Sequence, residues 1–161
     1  MRTRPELASD ERISTLSAAI DTEQLIEEIA SRITTLLRES SLATLHAHFA
    51  VGDEIHRLRC NALCGSRPLA RLAASIGRDE SGLQKMARVA ETIRGPERQV
   101  VFALLDKRGF PLAPSLVAEL ERVRQSTQRI ELARLALDEG LTVTELRARI
   151  GFLKSVRRVE Q

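Results

Sequence analysis

The sequence contains no tyrosine and no tryptophan, and only four of its 161 residues are phenylalanine. Proteins that bind single-stranded nucleic acid usually stack the bases on aromatic side chains. The shortage of aromatic residues therefore argues against a single-strand binder. If the chain binds nucleic acid, duplex DNA is the favoured ligand.

Long apolar runs are also missing. No stretch approaches the roughly 18 consecutive apolar residues that a membrane-spanning helix requires. The first residues, MRTRPELASDER, become charged where a signal peptide would need an apolar segment. We therefore expect a cytoplasmic protein with no membrane partner.

Cysteine is scarce, with only Cys60 and Cys64 in the chain. These two residues share a helical stripe with Asp53 and His56, which raises the question of a zinc site. Successive turns of a helix are about 5.4 Å apart, so one metal ion would reach only two neighbouring ligands on this stripe. The sequence instead predicts small, buried, reduced thiols and a surface histidine, with no metal site and no cofactor.

Motifs of catalysis are absent as well. The chain has no glycine-rich phosphate loop, no nucleophile elbow and no HExxH pattern. Its adjacent acidic pairs, such as Glu27 with Glu28, are typical of solvated helix faces. We expect no catalytic residues and no enzymatic activity.

The charge that is present is unevenly distributed. The whole chain has 25 basic and 22 acidic side chains, a net charge of +3. Residues 1–66 carry 7 basic and 10 acidic side chains, residues 67–110 carry 9 and 5, and residues 111–161 carry 9 and 7. The positive charge is therefore concentrated in the middle of the chain, where a polyanionic partner would bind.

Hydrophobic periodicity predicts an all-α helical bundle, because helical spacing recurs along the chain and strand alternation does not. A strongly amphipathic helix is predicted over Thr22–Arg38, and the pattern continues from Leu42 to about Ala62. Gly52, in the middle of this second segment, predicts a close helix crossing or a kink. Further helices are predicted over Pro68–Ile76, Glu80–Ile93, Pro96–Lys107, Ser115–Val123, Thr127–Glu139 and Thr142–Lys154.

Three segments are predicted within this bundle. Residues 1–66 form N-terminal helices, residues 67–110 contain a helix-turn-helix, and residues 111–161 form a C-terminal helical lobe with a basic tail. The segment KRGFPLAP around Gly109 forbids a continuous helix. The sequence leaves open whether this break separates two helical lobes or lies within one.

The stretch LARLAASIGRDESGLQKMARVA, residues 69–90, has the spacing of a helix-turn-helix. Ala73, Gly77 and Leu83 lie at positions i, i+4 and i+10, where the motif needs a small crossing residue, a turn and an apolar anchor. Ile76 and Met86 are predicted to be buried beside them. In such a motif the second helix enters the major groove of duplex DNA.

The polar residues of this stretch divide into two predicted contact sets. The residues predicted to face the bases lie on one side of the second helix: Ser81, Gln84, Lys85 and Arg88. The residues predicted to contact phosphates are arginines around the motif: Arg67, Arg71, Arg78 and Arg94. A plain helical corner uses the same alanine and glycine. The alternative is therefore a protein-interaction or assembly module in which the motif is only a scaffold.

Three stretches carry a family resemblance: FAVGDEI at residues 49–55, LARLAASIGRDESGLQKMARVAE at 69–91, and EGLTVTELRARI at 139–150. Over Leu45–Ile150 the chain resembles the helical N-terminal domain of YhcG-type PD-(D/E)XK nuclease proteins. It is also similar, more distantly, to the helix-turn-helix region of the ParB and KorB partition proteins.

This resemblance implies a DNA-binding module that acts as a transcriptional regulator, a partition-like protein or a nuclease accessory factor. It does not extend to the nuclease domain, so it implies no catalysis. The chain departs from the family pattern at PLAPSLV, residues 111–117, which lacks the usual Trp, His and Tyr. It departs again at Thr144, where an Arg is expected.

A homodimer is the expected assembly, because one reading helix contacts few base pairs and specific binders commonly double it across a two-fold axis. The apolar stripe of Thr22–Arg38 is the predicted interface. An internal core role for the same stripe is the alternative.

Overall fold

The computed structural model describes the backbone of residues 7–60 and 67–159, and the side chains of residues 23–60 and 67–155. Over these ranges the chain is all-α, as predicted, with one isolated antiparallel bridge between Leu105 and Pro111. The seven helices of the described residues are α1 Leu7–Cys60, α2 Pro68–Ile76, α3 Glu80–Thr92, α4 Gly95–Ala103, α5 Pro114–Leu120, α6 Ser126–Asp138 and α7 Val143–Val159.

The first helix is longer than predicted, because α1 joins the two expected segments into one helix of 54 residues. The chain forms two compact units, residues 1–39 and 40–161, and α1 contributes to both. The predicted boundaries instead followed turn signals at residues 66 and 110. The second unit begins close to Leu45, a fully buried core residue.

One hydrophobic core extends across the KRGFPLAP break. Leu112 is fully buried and belongs to the same cluster as Val101, which precedes the break, and Val117, which follows it. The break is a folded turn in which the Asp106 carboxylate accepts hydrogen bonds from the backbone amides of Arg108 and Phe110, each at 2.8 Å. The segment therefore does not separate two cores.

The fourth helix ends earlier than predicted, at Ala103 rather than Lys107. Leu104 has extended backbone angles, φ −75° and ψ 122°. Leu105 then forms the bridge to Pro111. Residues 104–107, which apolar periodicity assigned to the helix, therefore belong to the turn that follows it.

The close crossing predicted at Gly52 is confirmed. A methyl group added at this position would overlap the carbonyl oxygen of Met86 and would lie 2.6 Å from the Cβ of Ala90. Both residues belong to α3. Gly52 thus allows the backbones of α1 and α3 to touch, and this contact fixes the position of α3 in the second unit.

Two arginines connect helices inside the second unit. Arg98 makes a bidentate ion pair with Asp53 at 2.7 and 2.9 Å and also donates to the carbonyl oxygens of Ala90 and Ile93. Arg129, only 6% exposed, makes a bidentate pair with Glu97, with both distances 2.6 Å. These cations are committed to folding and are not available to a ligand.

No helix in the described part of the chain combines the length and apolar character needed to cross a membrane.

Candidate nucleic-acid interface

The turn between α2 and α3 depends on Gly77, which has φ +62° and ψ 37°. Residues with a Cβ rarely adopt this left-handed conformation, so a glycine is favoured here. The amide of the next residue, Arg78, donates a 2.9 Å hydrogen bond back to the carbonyl oxygen of Ala73. The predicted glycine stop at the end of α2 is confirmed.

The start of α3 is capped by Asp79. Its Oδ2 atom accepts hydrogen bonds from the Ser81 hydroxyl at 2.5 Å and from the Gly82 amide at 2.8 Å. These two bonds, that from Ser81 first, lower the pKa of Asp79. Because the pKa of Asp79 in the folded chain lies below its ordinary value, the ionised cap stabilises the fold at pH values above that ordinary pKa. This contribution is lost as the pH falls through the lowered pKa.

A small apolar cluster holds α2 and α3 together. Its buried members are Ile55, Leu69, Ala73, Leu83 and Ala87. The predicted burial of the crossing alanine and the apolar anchor is therefore confirmed. The predicted burial of Ile76 is wrong, since this side chain is 52% exposed at the last residue of α2, where the chain turns away.

The four residues predicted to face bases are all exposed on α3, at positions i, i+3, i+4 and i+7 of one helical face. Ser81 is already engaged, because its hydroxyl proton is donated to the Asp79 carboxylate. Gln84 lines a small pocket together with Arg59 and Arg67. Lys85 and Arg88 lie toward the opposite side of the same face.

Lys85 and Arg88 line a second cavity, which we call the α3–α7 groove, with a volume of about 620 Å³. The charged and titratable side chains around it are His48, Lys85, Arg88, Glu119, Glu121, Arg122 and Arg147. Four cationic side chains therefore face two carboxylates. Burial lowers the pKa of His48, which therefore favours its neutral form.

Arg122 and Arg147 were not among the predicted site residues. Both pair with the buried carboxylate of Glu119, Arg147 at 2.7 Å and Arg122 at 3.3 Å. The hydrogen bond from Arg147 is the main cause of the lowered pKa of Glu119, which keeps the carboxyl group ionised. Their place beside α3 depends on the packing of α5 and α7, which no local sequence pattern encodes.

The four arginines predicted to contact phosphates, Arg67, Arg71, Arg78 and Arg94, are all exposed. Among the described residues, neither these four nor the two cations of α3 form an ion pair with a carboxylate within 4.0 Å. Arg67 adjoins Gln84 in the small pocket, whereas Arg94 precedes α4 and lines neither cavity. The helix-turn-helix therefore presents unpaired positive charge to solvent.

On the stripe of Asp53, His56 and Cys60, the Nε2 atom of His56 lies 3.7 Å from the Sγ atom of Cys60, and the other contacts are to residues outside the stripe. The Nδ1 atom of His56 lies 3.1 Å from a carboxylate oxygen of Glu91, and Asp53 is held by Arg98. Cys60 is exposed, so the prediction of a buried thiol is wrong there, and Cys64 lies outside the described residues. In the described part of the chain, no group of three or more His, Cys, Asp or Glu side chains is placed to hold a metal ion.

Comparisons with known proteins found no family model, no curated protein and no solved structure that matches this chain.

Proposed function

We propose that this chain binds duplex DNA through the helix-turn-helix of α2 and α3. In this proposal α3 lies in the major groove, where Gln84, Lys85 and Arg88 meet base edges. Ser81 contributes its hydroxyl oxygen as an acceptor, because its proton is held by Asp79. The chain acts as a binding protein without catalysis, as a regulator, a partition-like protein or a nuclease accessory factor in the cytoplasm.

The observation that carries this proposal is a group of exposed cations around α2 and α3 that lie within 4.0 Å of no described carboxylate. Arg98 and Arg129 are paired inside the fold, whereas the cations on the outer surface of α2 and α3 have no described carboxylate partner. A helical corner that served only as scaffold would gain nothing from five exposed cations in and beside one motif that form no ion pair with a described carboxylate: Arg67, Arg71, Arg78, Lys85 and Arg88. A polyanion would neutralise them and release counterions on binding.

The proposal predicts two different kinds of loss when these residues are truncated. Arg71→Ala removes a phosphate contact, so it should weaken all duplexes alike and lower the slope of log affinity against log salt by about one. Arg88→Ala removes a base contact, so it should cost roughly 1–3 kcal/mol on a preferred site and reduce the preference over random DNA. Fluorescence anisotropy over a salt series measures both quantities.

Arg57→Ala is the matched control, because Arg57 is exposed, lies on α1 and pairs only with Glu54 among the described residues. It should change neither the affinity nor the slope. Equal effects from Arg57→Ala and Arg71→Ala would show that the binding depends on net charge alone, which would contradict the assignment to the motif.

The same proposal includes a homodimer formed by the N-terminal unit. Ile26, Ile29, Ile33 and Leu36 recur at spacings of three and four, as in the seam of a coiled coil, and each is 47–64% exposed. Leu25 and Leu37 widen the exposed stripe. A second copy of this chain is the partner that fits best, because it brings an identical seam and doubles the reading helix.

This assembly predicts that Ile29→Ser combined with Ile33→Ser converts a dimer into a monomer in sedimentation velocity. Each buried isoleucine contributes roughly 1.5–3 kcal/mol and each copy loses two, so the dissociation constant should rise by at least about a hundredfold. Ile76→Ser is the control, since Ile76 is 52% exposed but lies outside the stripe. A parent protein that sediments as a monomer at micromolar concentration, with or without DNA, would contradict the proposed dimer.

The exposed stripe also favours one alternative function, a protein-interaction or assembly module with no DNA binding. A mobility-shift assay of the full chain with random-sequence duplex DNA at low salt separates the two. A shifted band favours the DNA-binding function. No shift at micromolar protein favours the interaction module.

A further inference from the structure

In the described part of the chain, the pentapeptide and glycine turn of α2–α3 recur in α6–α7. The pentapeptide Leu-Ala-Arg-Leu-Ala at residues 69–73 is repeated without change at residues 132–136, and a glycine follows each copy at the same distance, Gly77 and Gly140. The offset between the copies, from Leu69 to Leu132 and from Gly77 to Gly140, is 63 positions. The second copy comprises α6, the turn at Gly140, and α7.

The two copies have the same backbone turn. Gly77 has φ +62° and Gly140 has φ +64°. The amide that follows each glycine donates a 2.9 Å hydrogen bond to the carbonyl oxygen of the last alanine of the pentapeptide, Ala73 in one copy and Ala136 in the other. Both glycines therefore end their helix and redirect the chain in the same way.

The second helix of each copy is capped and anchored alike. The Asp79 carboxylate accepts from the amide three residues later, and the Thr142 hydroxyl accepts from the amide of Glu145 at 3.3 Å. The anchor leucines, Leu83 and Leu146, are 4% and 0% exposed. The segment α6–α7 thus repeats the pentapeptide, the turn, the cap and the buried leucine of α2–α3.

The second copy differs from the first on its outer face. The positions that correspond to Lys85 and Arg88 are Ala148 and Gly151, which have no hydrogen-bonding side chain to contact a base. The position that corresponds to Gln84 is Arg147, which lines the α3–α7 groove and remains 54% exposed while it pairs with Glu119. Helix α7 thus presents the guanidinium of Arg147 to the groove, and Ala148 and Gly151 beside it have no side chain that could form a hydrogen bond.

The groove therefore lies between the second helices of the two copies, with Lys85 and Arg88 contributed by one and Arg147 by the other. Arg122, from the turn after α5, lies in the same groove. Phosphates border the major groove of a duplex on both sides, so a helix inserted there needs cationic groups beside it. Glu119, which is buried, positions both arginines and leaves part of each guanidinium exposed.

We infer that α7 and the turn after α5 form a backbone clamp: when α3 enters the major groove, one phosphodiester strand of the duplex lies along the α3–α7 groove and contacts Arg122 and Arg147. This inference rests on the proposed DNA-binding function and adds a second, sequence-independent contact surface to it. Helix α7 holds the duplex in place, and α3 alone reads its sequence.

The test compares two arginines of the same helix in the full chain. Arg147→Gln should lower the affinity for every duplex by a similar factor and reduce the salt slope by about one. Arg149→Gln should leave the slope unchanged, because Arg149 pairs with Glu139 and does not line the groove. Arg147→Lys retains the charge and should retain the salt slope. If Arg147 had only a structural role, the lysine would not restore the slope.

Three outcomes can be distinguished by anisotropy with random duplexes and with a preferred site. A parent that binds no duplex overturns the DNA-binding function itself and the clamp with it. A parent that binds, with equal slopes for Arg147→Gln and Arg149→Gln, overturns the clamp and leaves the function of α3 intact. A loss of slope confined to Arg147→Gln, with the melting temperature within a few degrees of the parent, supports the clamp.

Discussion

Replacing Arg129 by alanine should lower the free energy of unfolding by about 3–5 kcal/mol, because it leaves the Glu97 carboxylate buried without its partner. The two side chains are only 7% and 9% exposed. Arg129 also donates to the carbonyl oxygens of Val123 and Arg124, at 2.6 and 3.0 Å, so the turn after α5 loses its hydrogen-bond donors too. Urea denaturation followed by circular dichroism measures the loss.

Two further variants distinguish the loss of the buried Arg129–Glu97 pair from the loss of any one arginine. Arg149→Ala breaks a pair whose members are 46% and 45% exposed, so it should cost less than about 1 kcal/mol. The double variant Glu97→Leu with Arg129→Leu leaves no uncompensated charge and should recover part of the loss. An Arg129→Ala variant as stable as Arg149→Ala would contradict the assigned role.

Replacing Gly52 by alanine is the second change with a large expected effect. The added methyl group meets the carbonyl oxygen of Met86, which belongs to helix backbone and cannot rotate aside. Helix α3 must therefore move away from α1, at a cost of about 1–3 kcal/mol or more. This cost outweighs the roughly 1 kcal/mol by which alanine improves on glycine within a helix.

Gly151→Ala is the matched control, because Gly151 also lies inside a helix but an added Cβ meets nothing within 4 Å. It should stabilise the protein by about 1 kcal/mol. Thermal melts should therefore shift in opposite directions for the two variants. A Gly52→Ala variant that melts at or above the parent temperature would contradict the contact between α1 and α3.

Local features of this fold could be predicted from the sequence. The stop at Gly77 and the capping box of Thr142 with Glu145 depend on a few adjacent residues, and the structure contains both. The close crossing at Gly52 was predictable because a glycine inside a helix is destabilising and usually has a packing role. The identity of the partner helix was not predictable. Local chemistry determines where helices begin, end and touch.

Contacts between distant residues were beyond local patterns. Asp53 and Arg98 are separated by 45 positions and Glu97 and Arg129 by 32, so no spacing rule connects them. Arg147 is a different case. The sequence signals that link its helix to α3 are the repeated pentapeptide at residues 132–136 and the glycine that follows each copy, and their meaning depends on the two turns having the same backbone conformation.

The most direct test of the DNA-binding function is a titration, at low salt, of a preferred duplex site selected from random-sequence DNA, with the parent and the variant Gln84→Ala, Lys85→Ala, Arg88→Ala. All three side chains are exposed on α3, so circular dichroism should show that the variant is as helical as the parent. We predict that the parent binds and that the folded variant binds at least about tenfold more weakly, since each lost contact costs roughly 1–3 kcal/mol. A folded variant that binds as tightly as the parent would contradict the account and identify α2–α3 as a structural corner.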